Sequence, residues 1–211
     1  AAAYSAACQG ATVALLERRP QPGGTTGIAV GSFTAAGTRW QRRAGIDDNP
    51  EDHDEDVSLF ADPELEARNN QPLRRFFLEH AAETLHWLQE ELRLNYVGPS
   101  PEPPNRCPRM HNVVPGAKAY VVRFQLALRR RGATIITGAA VTRLLQENGR
   151  ISGVEFSQDG KQHQLRARRG VVLATGDYAN NPEMIARYKG EEYRQIEGIN
   201  PHALGLGHQL A

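Results

Sequence analysis

The feature that most narrows the fold of this chain is a short pattern that occurs twice, half a chain apart. Residues 1–9 (AAAYSAACQ) are strong helix formers and stop at Gly10, a residue suited to the left-handed position that closes a helix. Residues 12–17 follow as a brief apolar run that ends in an acid, Glu17. Later, residues 119–131 are helical in pattern, Gly132 closes them, and residues 133–136 form a second brief apolar run. Runs of this length between turn signals read as buried strands. Helices alternating with such strands imply an α/β fold built on a parallel sheet.

The stretches around these two units carry other signals. Residues 20–37 are rich in Gly and Thr, too punctuated for a regular element and too apolar for a linker. Residues 47–66 are acidic and polar and are expected at the surface. Pro72 opens an amphipathic helix in which Leu73, Phe76, Phe77, Ala81, Leu85, Leu88 and Leu92 keep helical spacing. Residues 99–108 hold five prolines and read as an extended surface segment. Residues 141–145, 151–156 and 162–167 alternate around Asn148-Gly149 and Asp159-Gly160, strong hairpin signals that predict an antiparallel three-stranded excursion. Residues 170–176 return to a buried strand and a tight turn, and Asn181-Pro182 caps a helix over residues 183–188.

Bulk properties exclude several function classes. With 25 Lys and Arg against 24 Asp and Glu, a net charge of +1 argues against a polyanionic partner such as nucleic acid. No stretch approaches the roughly 18–20 apolar residues of a membrane span. Residues 1–8 are apolar without basic residues and are not expected to be a secretion signal. Cys8 and Cys107 form no CxxC or Cys/His spacing, so neither a metal site nor a disulfide framework is expected, and a cytoplasmic setting fits.

Three places carry chemistry. Glu17 ends its strand where a dinucleotide-binding unit keeps an acid, about 20 residues after its glycine fingerprint, to accept hydrogen bonds from ribose hydroxyls. By itself a solvated Glu at a strand end is the stronger reading, because counting back places the fingerprint before Ala1. Residues 22–32 (PGGTTGIAVGS) allow backbone to approach a pyrophosphate or a flat ring, with amides and hydroxyls as donors. A flexible loop is the rival there, yet Ile28, Ala29, Val30 and Phe33 are poor choices for an exposed linker. Finally, Ala174, Thr175 and Gly176 end a strand in the manner of a chain passing a bound phosphate at the carboxyl edge of a sheet, with a simple strand-to-loop turn as the alternative.

Taken in order, residues 15–38 (LLERRPQPGGTTGIAVGSFTAAGT), 109–121 (RMHNVVPGAKAYV), 137–156 (TGAAVTRLLQENGRISGVEF) and 170–184 (GVVLATGDYANNPEM) resemble the flavoprotein-subunit family. That family includes fumarate reductase, succinate dehydrogenase, urocanate reductases and 3-ketosteroid dehydrogenases. The resemblance implies a Rossmann-like FAD-binding domain over residues 1–211, with a parallel sheet, an antiparallel β excursion, and a mainly helical surface segment at about 39–108. It implies an FAD-dependent oxidoreductase that transfers hydride between flavin and an activated carbon–carbon bond. Glu17 would hold the adenosine ribose, and Gly24, Thr25 and Thr26 would lie along the pyrophosphate. Ala29, Gly31 and Ser32 would face the isoalloxazine, Ala140 and Val141 the adenine, and Ala174, Thr175 and Gly176 the pyrophosphate again.

The departures also carry expectations. Membrane-bound members attach flavin through a histidine in the glycine-rich loop; residues 20–39 contain none and Thr25 takes that place, so FAD is expected to be non-covalent. Asp177 stands where the family has a second glycine, and Leu206 replaces the acid of a Gly-Asp-Gly element. Sequence is expected to be missing at both ends, with the cap and most catalytic groups beyond Ala211. A small-molecule substrate and an electron-transfer partner are the implied partners, without nucleic acid or a membrane span. No catalytic acid or base is assigned. His111 is the histidine best placed to face an active site, but a structural role outweighs that, and His202 and His208 are treated alike. Arg129, Arg130 and Arg131 end a helix and read as solvated. A nucleotide-binding module without catalysis and an NAD-linked dehydrogenase are the rival readings.

Overall fold

The computed structural model describes residues 1–211, which divide into two compact units, residues 1–28 with 124–211 and residues 29–123. The first unit opens with helix α1 (Ala2–Cys8), closed by Gly10 at φ +77°, and strand β1 (Ala14–Glu17).

In the second unit, strand β2 (Ser32–Thr34) leads into helices α2 (Arg39–Arg43), α3 (Pro50–Val57), α4 (Pro63–Glu66) and the long α5 (Gln71–Leu92). Strands β3 (Asn95–Ser100) and β4 (Met110–Val114) complete an antiparallel sheet in the order β2–β4–β3. The starts of α2, α3 and α5 are chemically specified. Thr38 and Gln41 form a capping box on α2, Asn49 caps α3 and Asn70 caps α5, the last two with Pro in the first turn.

The stripe on α5 behaves differently along its length. Ala81, Leu85, Leu88 and Leu92 are buried, together with Leu78, whereas Leu73, Phe76 and Phe77 are 58–62% exposed. Spacing assigns these residues to one face; it does not guarantee that the face is covered from end to end. The acidic stretch also departs from expectation. Asp48 and Asp56 keep side-chain exposures of only 1% and 3%, and His53 is buried beside them.

Helix α6 (Lys118–Arg130) contains the division and leads into strand β5 (Thr134–Thr137) of the first unit. β1 and β5 pair in parallel, Ala14 opposite Thr134 through Glu17 opposite Thr137, as the repeated pattern implied. A two-stranded sheet covers each strand along one edge only, so Leu15 and Leu16 are half-buried rather than fully buried. Of the arginines closing α6, Arg131 is not merely solvated: its guanidinium lies over the Tyr4 ring, 5.3 Å from the centroid.

Strands β6 (Ala140–Glu147), β7 (Arg150–Gln158) and β8 (Lys161–Arg166) form the expected antiparallel meander. Both hairpin turns have positive φ at both central residues, 49° and 76° at Asn148-Gly149 and 51° and 74° at Asp159-Gly160. Ala139, Val154 and Phe156 form a core against Leu16, Ile136, Val141 and Leu165. Residues 170–176 do not form the buried strand expected of them: no ladder includes them, and Val172 is 74% exposed. Apolar residues establish a preference, but a strand also needs a neighbour to take its backbone hydrogen bonds, and none pairs here. Helices α7 (Pro182–Lys189), capped by Asn181, and α8 (Leu206–Leu210) end the chain.

Candidate functional site

Glu17 is placed by the parallel pair. It ends β1 opposite Thr137, and its backbone carbonyl accepts a 2.9 Å hydrogen bond from the Ala139 amide. The next two residues, Ala140 and Val141, open β6, so Glu17, Ala140 and Val141 are brought together by three short elements. The side chain is half-buried. Its Oε1 accepts from the Arg19 amide at 2.8 Å, which fixes the carboxylate and leaves Oε2 with no partner in the chain.

The glycine-rich loop folds into a single 3-10 turn over Thr25–Gly27, opened by Gly24 at φ 54° and ψ −151°, a conformation essentially restricted to glycine. The turn's bonds run from the Gly27 amide to Gly23 and Gly24 and from the Ile28 amide to Thr25. The amides of Gly24, Thr25 and Thr26 take no part in them and have no acceptor in the chain, like the first amides of a helix.

A side chain that sequence reasoning passed over ties this loop to the rest of its unit. Asn200 Nδ2 donates to Thr25 Oγ1 at 3.0 Å. Asn180 Nδ2 donates in turn to the carbonyls of Gly198 and Asn200 at 2.7 and 2.6 Å, and the Asn180 amide donates to Ala203. Gly207 packs so closely on Thr175 that a Cβ there would stand 2.0 Å from Thr175 Oγ1. Residues 198–207 therefore collect Thr25 at one end and the Ala174, Thr175 and Gly176 segment at the other. Asp177 is occupied locally: its Oδ1 accepts from the Ala179 amide at 2.8 Å, an Asx-type turn.

In the second unit, Gly31 is fixed by contacts only a glycine permits. Its φ is +92°, and a Cβ would lie 2.7 Å from Val113 Cγ1 and 2.9 Å from the Ala117 Cα. Its carbonyl accepts from the Tyr120 hydroxyl at 3.1 Å. Ser32 pairs with Asn112 across β2 and β4, and its Oγ donates to Asn112 Oδ1 at 2.6 Å. Ala29 and Ser32 are exposed.

Behind that strand lies a buried ionic group. Arg109, with no exposed surface, grips Asp48 through two bonds of 2.8 and 2.7 Å, and donates to Asp56 at 2.5 Å and to Asn105 at 2.9 Å. Arg106 adds bonds to Asp52, Glu55 and Asp56. Although burial opposes ionisation, these donors hold the Asp56 carboxyl down to about 2, and Asp48 is likewise lowered. Burial, reinforced by the Arg109 charge, pushes the His53 imidazole down to about 4. His111 is fully buried, its Nε2 3.1 Å from Thr38 Oγ1, its ring edge against Trp40, and burial lowers its pKa. It is a core histidine. His202 and His208 are exposed, the latter edge-on to Tyr178.

A family model described as FAD binding domain matches residues 1–211, the entire chain. The chain belongs to the FAD binding domain family. Among relatives of this FAD-binding chain, NADH:fumarate oxidoreductase of Klebsiella pneumoniae (strain 342) is 31% identical over 198 residues, 90% of this chain and 20% of that protein. Fumarate reductase (cytochrome) of Shewanella frigidimarina is 28% identical over 220 residues, covering 100% of this chain and 37% of that protein. Among solved structures, the open conformation of a flavocytochrome c3 fumarate reductase superposes with a TM-score of 0.87 at 27% identity, over 99% of this chain and 37% of that one. The 3-ketosteroid-delta4-(5alpha)-dehydrogenase of Rhodococcus jostii RHA1 shares the fold at a TM-score of 0.84 and 24% identity, over 99% and 50% of the two chains. The chain thus spans between a fifth and about two fifths of the length of the curated relatives it matches.

The residues present fit FAD. A carboxylate oxygen is free at Glu17, three amides at the Gly24 turn have no acceptor in the chain, and Ile28 and Val30, 49% and 79% exposed, give apolar surface in the same loop. No helix is long and apolar enough to cross a membrane.

Proposed function

We propose that this chain holds non-covalent FAD for an oxidoreductase that acts on an activated carbon–carbon bond. When bound, FAD supplies hydride exchange at its ring. Glu17 accepts hydrogen bonds from the adenosine ribose, with the backbone at Ala140 and Val141 beside the adenine. Gly24, Thr25 and Thr26, with Ala174, Thr175 and Gly176, donate along the pyrophosphate. Ala29, Gly31 and Ser32 lie against the isoalloxazine. The observation that carries this reading is the junction of Glu17 with Ala139, which sets a fixed carboxylate next to the start of β6. Relatives named fumarate reductase support the reaction type, and a small-molecule substrate and an electron-transfer partner belong with it. Two free cysteines support a cytoplasmic setting.

The test is a titration of the purified chain with FAD, following quenching of flavin fluorescence and the visible flavin bands. Binding should be saturable, and acid precipitation should release the flavin intact from the protein. Glu17→Ala should weaken binding about tenfold, the equivalent of one charge-assisted hydrogen bond of about 1.4 kcal/mol. Unchanged affinity in that variant would refute the ribose assignment, and absence of quenching in the parent chain would sink the flavin reading.

A further inference from the structure

The second unit contains an open cleft of about 440 Å³, within the range of about 300–1,000 Å³ common for small-molecule sites. Phe33, Val57, Phe60, Phe77 and Leu78 provide its apolar wall. Phe60 and Phe77 are 51% and 58% exposed, so two aromatic rings stand free at its rim. Of the apolar residues exposed at the start of α5, Phe77 is the one that faces the cleft.

The polar groups of the cleft have a marked bias. Ser32 gives its hydroxyl proton to Asn112, and Thr34 gives its own to Glu102 Oε2 at 3.2 Å. Asn105 donates one N–H to the Glu102 carbonyl and accepts from Arg109, which leaves its second N–H unused. Beside that N–H, the accepting capacity left lies at Glu102 Oε1 and the Ser32 oxygen. To this is added the His53 ring, which is 3% exposed and makes no hydrogen bond within the chain; its Nδ1 is buried without a partner. No lysine or arginine lines the cleft, and the guanidinium of Arg109 is already engaged by Asp48 and Asp56. A carboxylate ligand would meet Glu102 at close range with no cation to offset its desolvation.

We propose that this cleft takes an uncharged ligand with an apolar, ring-sized body and a hydroxyl or N–H group donated to Glu102 or His53, in preference to a small dicarboxylate. Ser32 is also one of the residues assigned above to the flavin ring, so the cleft is the substrate site of the proposed oxidoreductase. That last step rests on the flavin reading, whereas the ligand class rests on the cleft alone.

The experiment titrates the full chain, with and without FAD, with 2-naphthol as an uncharged fluorescent probe and succinate as a competitor. Saturable naphthol binding that succinate fails to displace is expected. Phe77→Ala, at an exposed position, should weaken naphthol binding at least about tenfold, the effect of losing about 1.4 kcal/mol of contact. Glu102→Lys should admit succinate by placing a cation at the cleft. Displacement of naphthol by succinate from the parent chain would overturn the proposal. So would parent-like naphthol affinity in both Phe77→Ala and Phe60→Ala. Naphthol binding without FAD binding would remove the flavin reading and leave the cleft standing; FAD binding without naphthol binding would remove the cleft alone.

Discussion

Replacing Arg109 with Met should cost this protein about 3–5 kcal/mol at neutral pH, the usual consequence of removing one partner from a buried ion pair. Methionine preserves length and apolar contact, so the change is mainly one of charge. Arg109, Asp48 and Asp56 have side-chain exposures of 0%, 1% and 3%, and four guanidinium bonds vanish together. Asp56 would keep Arg106, whereas Asp48 would keep only the neutral donors of Gln41, at 2.6 Å, and the Cys107 thiol. The orphaned Asp48 carboxylate is the larger part of the loss. Both tryptophans, Trp40 and Trp87, lie in the unit of residues 29–123, so fluorescence-detected urea unfolding reads that unit.

The pH dependence gives a sharper test of the same reasoning. In the parent chain the Asp56 pKa is depressed from 3.8 to about 2 and that of Asp48 is also lowered. Their stabilisation is therefore complete above about pH 4 and lost as pH falls toward about 2. In Arg109→Met the unpaired carboxylate should prefer its protonated form, with a pKa above the unfolded value. The gap between variant and parent should then narrow as pH is lowered from 7 toward about 4.5. Adding Asp48→Asn should recover part of the loss, because the two residues share one network. A cost below about 1 kcal/mol at pH 7, or a gap that widens on acidification, would refute the argument.

Three further outcomes follow from the same structure. His53, depressed from 6.5 to about 4 chiefly by burial, should make the fold lose stability as pH falls from 6.5 to 4, since only the unfolded state takes up the proton in that window; His53→Asn should flatten this slope in urea unfolding at pH 7 and 5. Gly31→Ala should destabilise the second unit by about 1–3 kcal/mol, from strain at φ +92° and a Cβ within 2.9 Å of Ala117, and should lower its thermal midpoint; an unshifted midpoint would count against that packing. Asn200→Ala should leave the overall fold intact by circular dichroism yet loosen the Gly24 turn, weakening FAD binding several-fold, because its bond to Thr25 is the side-chain link from residues 198–207 to that turn.

Much of the fold is legible locally. The closing glycine of α1, the Asn-Gly and Asp-Gly hairpins and the Asn181 cap each act over a few residues, and the structure realises all of them. Glu17 too is recognisable from its strand-end position, and its place opposite Thr137 follows from the repeated unit. The expectation for residues 170–176 fails because strand formation depends on a partner that an apolar run cannot specify. Spacing identifies the apolar face of α5, yet only tertiary packing divides it into a buried part, Leu78 to Leu92, and an exposed part, Leu73 to Phe77.

The α/β alternation, the meander and the glycine-rich loop are legible locally, because helix periodicity, turn chemistry and the absence of a Cβ are properties of neighbours in the chain. That the acidic stretch turns inward depends on distant contacts, since Asp48 and Asp56 meet Arg109 across 61 and 53 residues. The bond from Asn200 to Thr25, across 175 residues, is of the same kind. Charge and polarity in a short window report a preference for water. Whether that preference is overridden depends on a partner of opposite charge arriving from elsewhere in the chain, and no local pattern contains it.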